Sequence, residues 1–222
     1  MNQAHYAELD DSAIENAAET LLTEFFEAAG QEVTIPVPVE SIAEQYLGYR
    51  IEITDEGLFQ DPNFLGGVDF QSQTIFVNTS VEAHEGRYAF TIAHELGHHV
   101  LHKAGFLSME SLQDQKIMCR SSSKRPMIEY QADRFAAALL MPSKPLKAAV
   151  RTLAKRLPRK HSNKFLASRL VLEGGFSNVS HEAMRYRLRE LNLSSHALRL
   201  PRAVLALSRL LYRLLHRILP KR

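Results

Sequence analysis

Two histidines four residues apart in an otherwise apolar stretch restrict this chain more than any other feature. The stretch is Phe90-Thr91-Ile92-Ala93-His94-Glu95-Leu96-Gly97-His98-His99-Val100-Leu101-His102. Residues i and i+4 of an α-helix stand one above the other on one face, so His94 and His98 converge if the stretch is helical. Ile92, Ala93, Leu96, Val100 and Leu101 supply the flanks of a helix that runs through a core. Imidazoles are usually exposed; inside such a run they need a partner, and two stacked imidazoles can grip one divalent metal ion. Glu95 follows the first histidine, where its carboxylate can reach a water on that ion and take its proton. The alternative is a surface helix that carries these residues by chance. Gly97 is a poor helix former, and close approach of another backbone is a reason for its presence.

His-Glu-x-x-His on a helix is a zinc motif, and a catalytic zinc site needs a third protein ligand that leaves one position open. The same helix cannot supply it well. His102 lies about 12 Å along the axis from His94, and His99 points roughly 100° away from His98. The longer metzincin pattern would need Gly and His at positions that are Leu101 and Ala104 here. A better donor is Glu129, in Glu129-Tyr130-Gln131-Ala132-Asp133-Arg134-Phe135-Ala136-Ala137-Ala138-Leu139-Leu140-Met141-Pro142. Glu129 and Asp133 are one turn apart on an apolar helix, where two carboxylates buried without a cation are costly. A metal relieves that cost for Glu129, and Asp133 can accept a hydrogen bond from the far nitrogen of a liganding histidine. Surface pairs, such as Asp133 with Arg134, are the alternative. Cys119, Glu110 and Asp114 are weaker ligand candidates in a polar segment.

The rest of the chain reads as α+β. Helices are expected over residues 12–29 with Ser12 as cap, 39–46, 88–103, 127–141, 146–157, 164–172 and 181–192. Residues 49–54 alternate as a strand, and 66–70 and 74–78 flank Gln71-Ser72-Gln73 as a β-hairpin. A strand beside the metal can pair with an extended peptide through its main chain; a purely structural hairpin fits equally well. Residues 104–126 read as a loop. A single cysteine excludes an internal disulfide and suits a reducing cytoplasm. The first residues lack the pattern of a signal peptide, and no apolar run is long enough for a bilayer.

The stretch Tyr88 to His98, followed by Glu129-x-x-Ala132-Asp133-x-Phe135-Ala136-Ala137-x-Leu139-Leu140-Met141-Pro142, resembles the ImmA/IrrE family of metallo-endopeptidases. Val179-Ser180-x-x-Ala183-x-x-x-Arg187-Leu188 resembles that family's closing helix, so the resemblance covers roughly residues 35–193. It implies a zincin-like fold with a small antiparallel sheet and an active-site helix. It also implies one Zn2+ held by His94, His98 and Glu129, with Glu95 catalytic, and, as in many members, cleavage of a helix-turn-helix transcriptional repressor that switches on a stress or mobile-element programme. His99 stands where an apolar residue is usual, the segment between Met141 and Val179 is unusually basic, and Gly174-Gly175-Phe176-Ser177 reads as a local insertion. Tyr130, His161, His181 and Tyr186 are candidates for a second oxyanion donor, and packing or surface roles fit each of them as well.

Residues 1–195 are read as one metallopeptidase domain and 196–222 as a basic amphipathic helical tail. The net charge of +2 conceals a gradient. Residues 1–60 hold thirteen acids and one base, whereas 141–222 hold nineteen bases and three acids. Attraction between the two ends is one reading; a surface for nucleic acid, anionic lipid or an acidic partner is the other. Met184, Leu188 and Leu191 make the inner stripe of helix 181–192, with Arg185, Arg187 and Arg189 facing outward. With helix 164–172 it faintly resembles a helix-turn-helix, although a solvated basic face is the simpler reading. Residues 202–219 have heptad-like spacing and can dock on the domain, join a partner helix or lie on a membrane surface. Two rival functions follow: a non-catalytic antirepressor that keeps the metal site, and a DNA- or protein-binding regulator with a structural zinc.

Overall fold

The computed structural model describes residues 8–107, 118–119, 127–157 and 162–193. Helix α1, Asp11–Ala28, begins a residue before the expected start, and Asp10 rather than Ser12 caps it. The Asp10 carboxylate accepts from the Ala13 N–H at 2.7 Å, as a short acidic side chain at this position does well. The helix buries Ile14, Ala18, Leu21, Leu22 and Phe26. Residues 39–46 form the expected short helix, α2 (Val39–Ser41), which runs on as a π-helical turn over Ile42–Tyr46.

Four strands follow: β1 (Arg50–Thr54), β2 (Gly66–Asp69), β3 (Thr74–Asn78) and the two-residue β4 (Met118–Cys119). Their order is β1-β3-β2-β4. The hairpin forms as read, with Val68 opposite Ile75, both fully buried. The expected antiparallel sheet is corrected in one pair: β1 runs parallel to β3, Ile51 opposite Ile75. The chain leaves β1, passes the 3-10 turn Gly57–Gln60 and enters β2 on the far side of β3. A tight hairpin then returns β3 in the direction of β1, which makes that pairing parallel. Residues 104–126 also depart from the expected loop, since Met118 and Cys119 pair with Val68 and Gly67.

After the short helix α3 (Thr79–Glu82) comes α4, Glu85–Leu107, longer at both ends than its motif required. It packs on β2 and β3 on one side and on α5, Met127–Leu140, on the other; α1 covers α5. The approach of α4 to α5 depends on Gly97. A Cβ there would stand 3.1 Å from Ala132 Cα and 3.2 Å from Phe135 Cδ1, so the glycine lets two backbones come within reach of one another.

Helices α6 (Ser143–Ala154), α7 (Asn163–Glu173) and α8 (His181–Glu190) complete the described fold. The Gly174-Gly175-Phe176-Ser177 segment is a core-anchored turn: Phe176 is fully buried and Asn178 Nδ2 donates to the Val37 carbonyl at 2.9 Å. Arg187 corrects the expected outward row. Its side chain is buried, its guanidinium donates to both Glu15 carboxylate oxygens at 2.6 and 2.8 Å, and its Nε donates to the Met141 carbonyl at 3.1 Å. No helix among the described residues is long and apolar enough to cross a membrane. The expected tail over 196–222 lies outside the described residues.

Candidate metal centre

His94 and His98 occupy the middle of α4, where Ile92, Ala93 and Leu96 fix the buried face, and both imidazoles have no solvent exposure. Their Nε2 atoms lie 3.0 Å apart. Glu129, in the first turn of α5, brings Oε2 to 3.3 Å from His94 Nε2 and Oε1 to 3.4 Å from His98 Nε2. One donor atom from each residue fits within 4.8 Å of the others, and all three residues are buried. Glu129 Oε2 has no hydrogen-bond donor, a costly condition for a buried carboxylate oxygen unless a cation faces it. Two imidazole nitrogens and a carboxylate form a donor set suited to a divalent transition metal. Glu95 is 1% exposed on the same helix. Strand β2 passes directly over it: a Cβ on Gly66 would stand 3.0 Å from Glu95 Oε1 and 2.4 Å from Thr91 Cγ2.

A family model described as Peptidase_M78, IrrE N-terminal-like domain, matches residues 44–189, about two thirds of the chain. The chain belongs to this family. No curated protein is significantly similar to it in sequence. Membership makes the α+β architecture that of a zincin-like M78 domain and its function of metallopeptidase type. The match contains both halves of the M78 donor cluster, α4 and α5, and reaches to the last turn of α8.

Electrostatics in the M78 cluster favour an ion between the three donors. Burial works against charge on His94, but its contacts with Asp133 and Glu129 outweigh it and hold the imidazole up at about 9. Burial pushes His98 down to about 4. Glu129 is held at about 2: burial raises it, yet its close contacts with His94 and His98 prevail. Without a metal, one proton on His94 therefore stands in for the cation among these carboxylates. His94 Nδ1 lies 3.0 Å from Asp133 Oδ1, the contact expected for Asp133.

Other candidates are elsewhere. The Tyr130 hydroxyl donates to Asp11 at 3.0 Å; His181 is exposed, and Tyr186 is exposed beneath the Arg189 guanidinium. His161, Glu110 and Asp114 lie outside the described residues, and Cys119 is placed only by its backbone in β4. His99 points away from the cluster, its Nδ1 2.7 Å from the Tyr49 hydroxyl, and burial holds it down at about 4. Sequence reasoning missed Gly66 and the environment of His102, which is 1% exposed and packs against His98. The i+4 repeat His94, His98, His102 was the available signal for the latter.

Proposed function

We propose that this chain is a zinc-dependent endopeptidase in which His94, His98 and Glu129 hold the ion and Glu95 moves the proton. The convergence of three buried donors from two helices, beside a buried glutamate, carries this reading. A bound zinc ion would supply Lewis acidity, lowering the pKa of a water and polarising the scissile carbonyl. Glu95 takes the proton of the attacking water and delivers it to the departing amide nitrogen. Asp133 accepts the His94 Nδ1–H and keeps Nε2 aimed into the cluster. Gly66 lets strand β2 lie against Glu95 and Thr91, where a Cβ would clash with both.

The substrate class rests on the family resemblance: a helix-turn-helix transcriptional repressor, cleaved in the cytoplasm to relieve repression in a stress or mobile-element response. The test is Glu95→Gln, assayed on a repressor encoded beside the chain's own gene. Retained zinc with cleavage reduced by about 10²–10⁴-fold is the expected result for a lost proton carrier. Undiminished cleavage would remove Glu95 from the mechanism. Full repressor inactivation without any cleavage would replace the peptidase with a binding antirepressor.

A further inference from the structure

A second buried network lies behind His98, and it is asymmetric with the one behind His94. His98 Nδ1 is 3.0 Å from His102 Nδ1, and His102 Nε2 is 2.8 Å from Gln131 Oε1. His98, His102 and Gln131 are all at most 1% exposed. His102 is one turn beyond His98 on α4, while Gln131 comes from α5, two residues after Glu129. The helix that supplies the third donor therefore also supplies the Gln131 carboxamide to this network.

The polarity of the chain follows from the Gln131 carboxamide. A carboxamide oxygen only accepts, so His102 must donate from Nε2. A neutral imidazole with its hydrogen on Nε2 presents a bare Nδ1. That bare nitrogen accepts, so the hydrogen between the two rings belongs to His98 Nδ1. His98 Nε2 is then left with its lone pair directed at His94 and Glu129. Were the Gln131 amide group reversed, every hydrogen in the chain would reverse with it. His98 would then point an N–H into the donor cluster, where no metal could be held.

We propose that Gln131 and His102 are positioning residues that set the tautomer of His98 and so prepare its Nε2 as a ligand atom. Asp133 does this for His94 with a full charge; Gln131 does it for His98 through a neutral ring. One imidazole is thus backed by an anion and the other by a dipole, which limits the negative charge gathered around one ion.

The inference rests on the metal reading, and the experiment separates the two. Full-length chain with 15N-labelled histidine is observed by long-range proton–nitrogen correlation, metal-depleted and again with zinc. The wild type is expected to show His102 protonated on Nε2 and His98 on Nδ1 in both states. Gln131→Leu is expected to mix the His98 tautomers and weaken zinc binding, read by chelator competition, about tenfold. His102→Gln, whose amide oxygen can accept the same hydrogen, is expected to keep His98 on Nδ1 and to bind zinc within a few-fold of wild type. A wild-type His102 protonated on Nδ1 overturns the proposal, as does Gln131→Leu with unchanged tautomers and affinity. If Gln131→Leu does not fold, the wild-type spectrum and His102→Gln still decide. A chain with the expected tautomers that binds no zinc would sink the metal reading and leave the relay standing.

Discussion

Arg187 occupies a place on α8 where an apolar side chain would ordinarily sit, and it is tolerated because every face of the guanidinium has an acceptor. Glu15, Glu190 and the Met141 carbonyl provide them. Truncating Arg187 removes a buried side chain and leaves the Met141 carbonyl without its donor, while the partly exposed Glu15 and Glu190 carboxylates can turn to water. Arg187→Ala is expected to cost about 1–3 kcal/mol, whereas Arg185→Ala and Arg189→Ala should stay within about 0.5 kcal/mol; urea unfolding measures all three. Equal, small effects would contradict the buried network. His94 carries a pH dependence. Its folded value of about 9 lies above the ordinary 6.5, so in the metal-free protein its contribution to stability is complete below pH 6.5 and fades as pH rises towards 9. His98, held at about 4, has the opposite sign: its contribution is present above pH 6.5 and fades as pH falls towards 4. A metal must displace the His94 proton. Zinc binding near neutral pH is therefore expected to release about one proton from this site and to tighten up to pH 9. Calorimetry in buffers of different ionisation enthalpy reads that proton directly; a flat pH profile with no proton released would contradict it.

Helices α4 and α5 act as one device, because the donor set is divided between them. Gly97→Ala tests their approach. Alanine alone would favour the helix by about 1 kcal/mol, but its Cβ would meet Ala132 Cα at 3.1 Å, and overpacking costs about 1–3 kcal/mol. The expected outcome is lower stability together with zinc binding at least about tenfold weaker, as Glu129 moves from the imidazoles. A more stable variant with unchanged affinity would show that the contact does not set the site. This dependence also explains what could be read in advance. His94 and His98 were legible because the i, i+4 relation is internal to one helix. Glu129 and Asp133 stood out as carboxylates on an apolar helix. His102 and Gln131 were not legible as a pair, since their contact depends on the register of α4 against α5, which neither segment encodes by itself. The parallel β1–β3 pairing was hidden for a similar reason: it follows from where the chain re-enters the sheet. The buried place of Arg187 is legible in its spacing, because Met184, Arg187, Leu188 and Leu191 follow the i, i+3, i+4, i+7 pattern of an inner face; its charge points the other way.

At the scale of the molecule, the charge gradient along the chain is partly spent inside the fold. Asp11 meets Arg134, Glu15 meets Arg187 and Glu19 meets Lys144, so the acidic first helix joins the later, basic part of the chain. That arrangement places α1 over α5 and encloses the helix that carries Glu129. The sheet holds α4 from the other side, with Gly66 over Glu95. The whole fold thus holds His94, His98, Glu129 and Glu95 together in a buried cluster. Zinc K-edge X-ray absorption of the full chain loaded with one equivalent tests this most directly. Four light-atom ligands with the multiple scattering of two imidazoles are expected, with loss of one light-atom contribution in Glu129→Ala. A chain that takes up no zinc, or a spectrum without imidazole scattering, would contradict it.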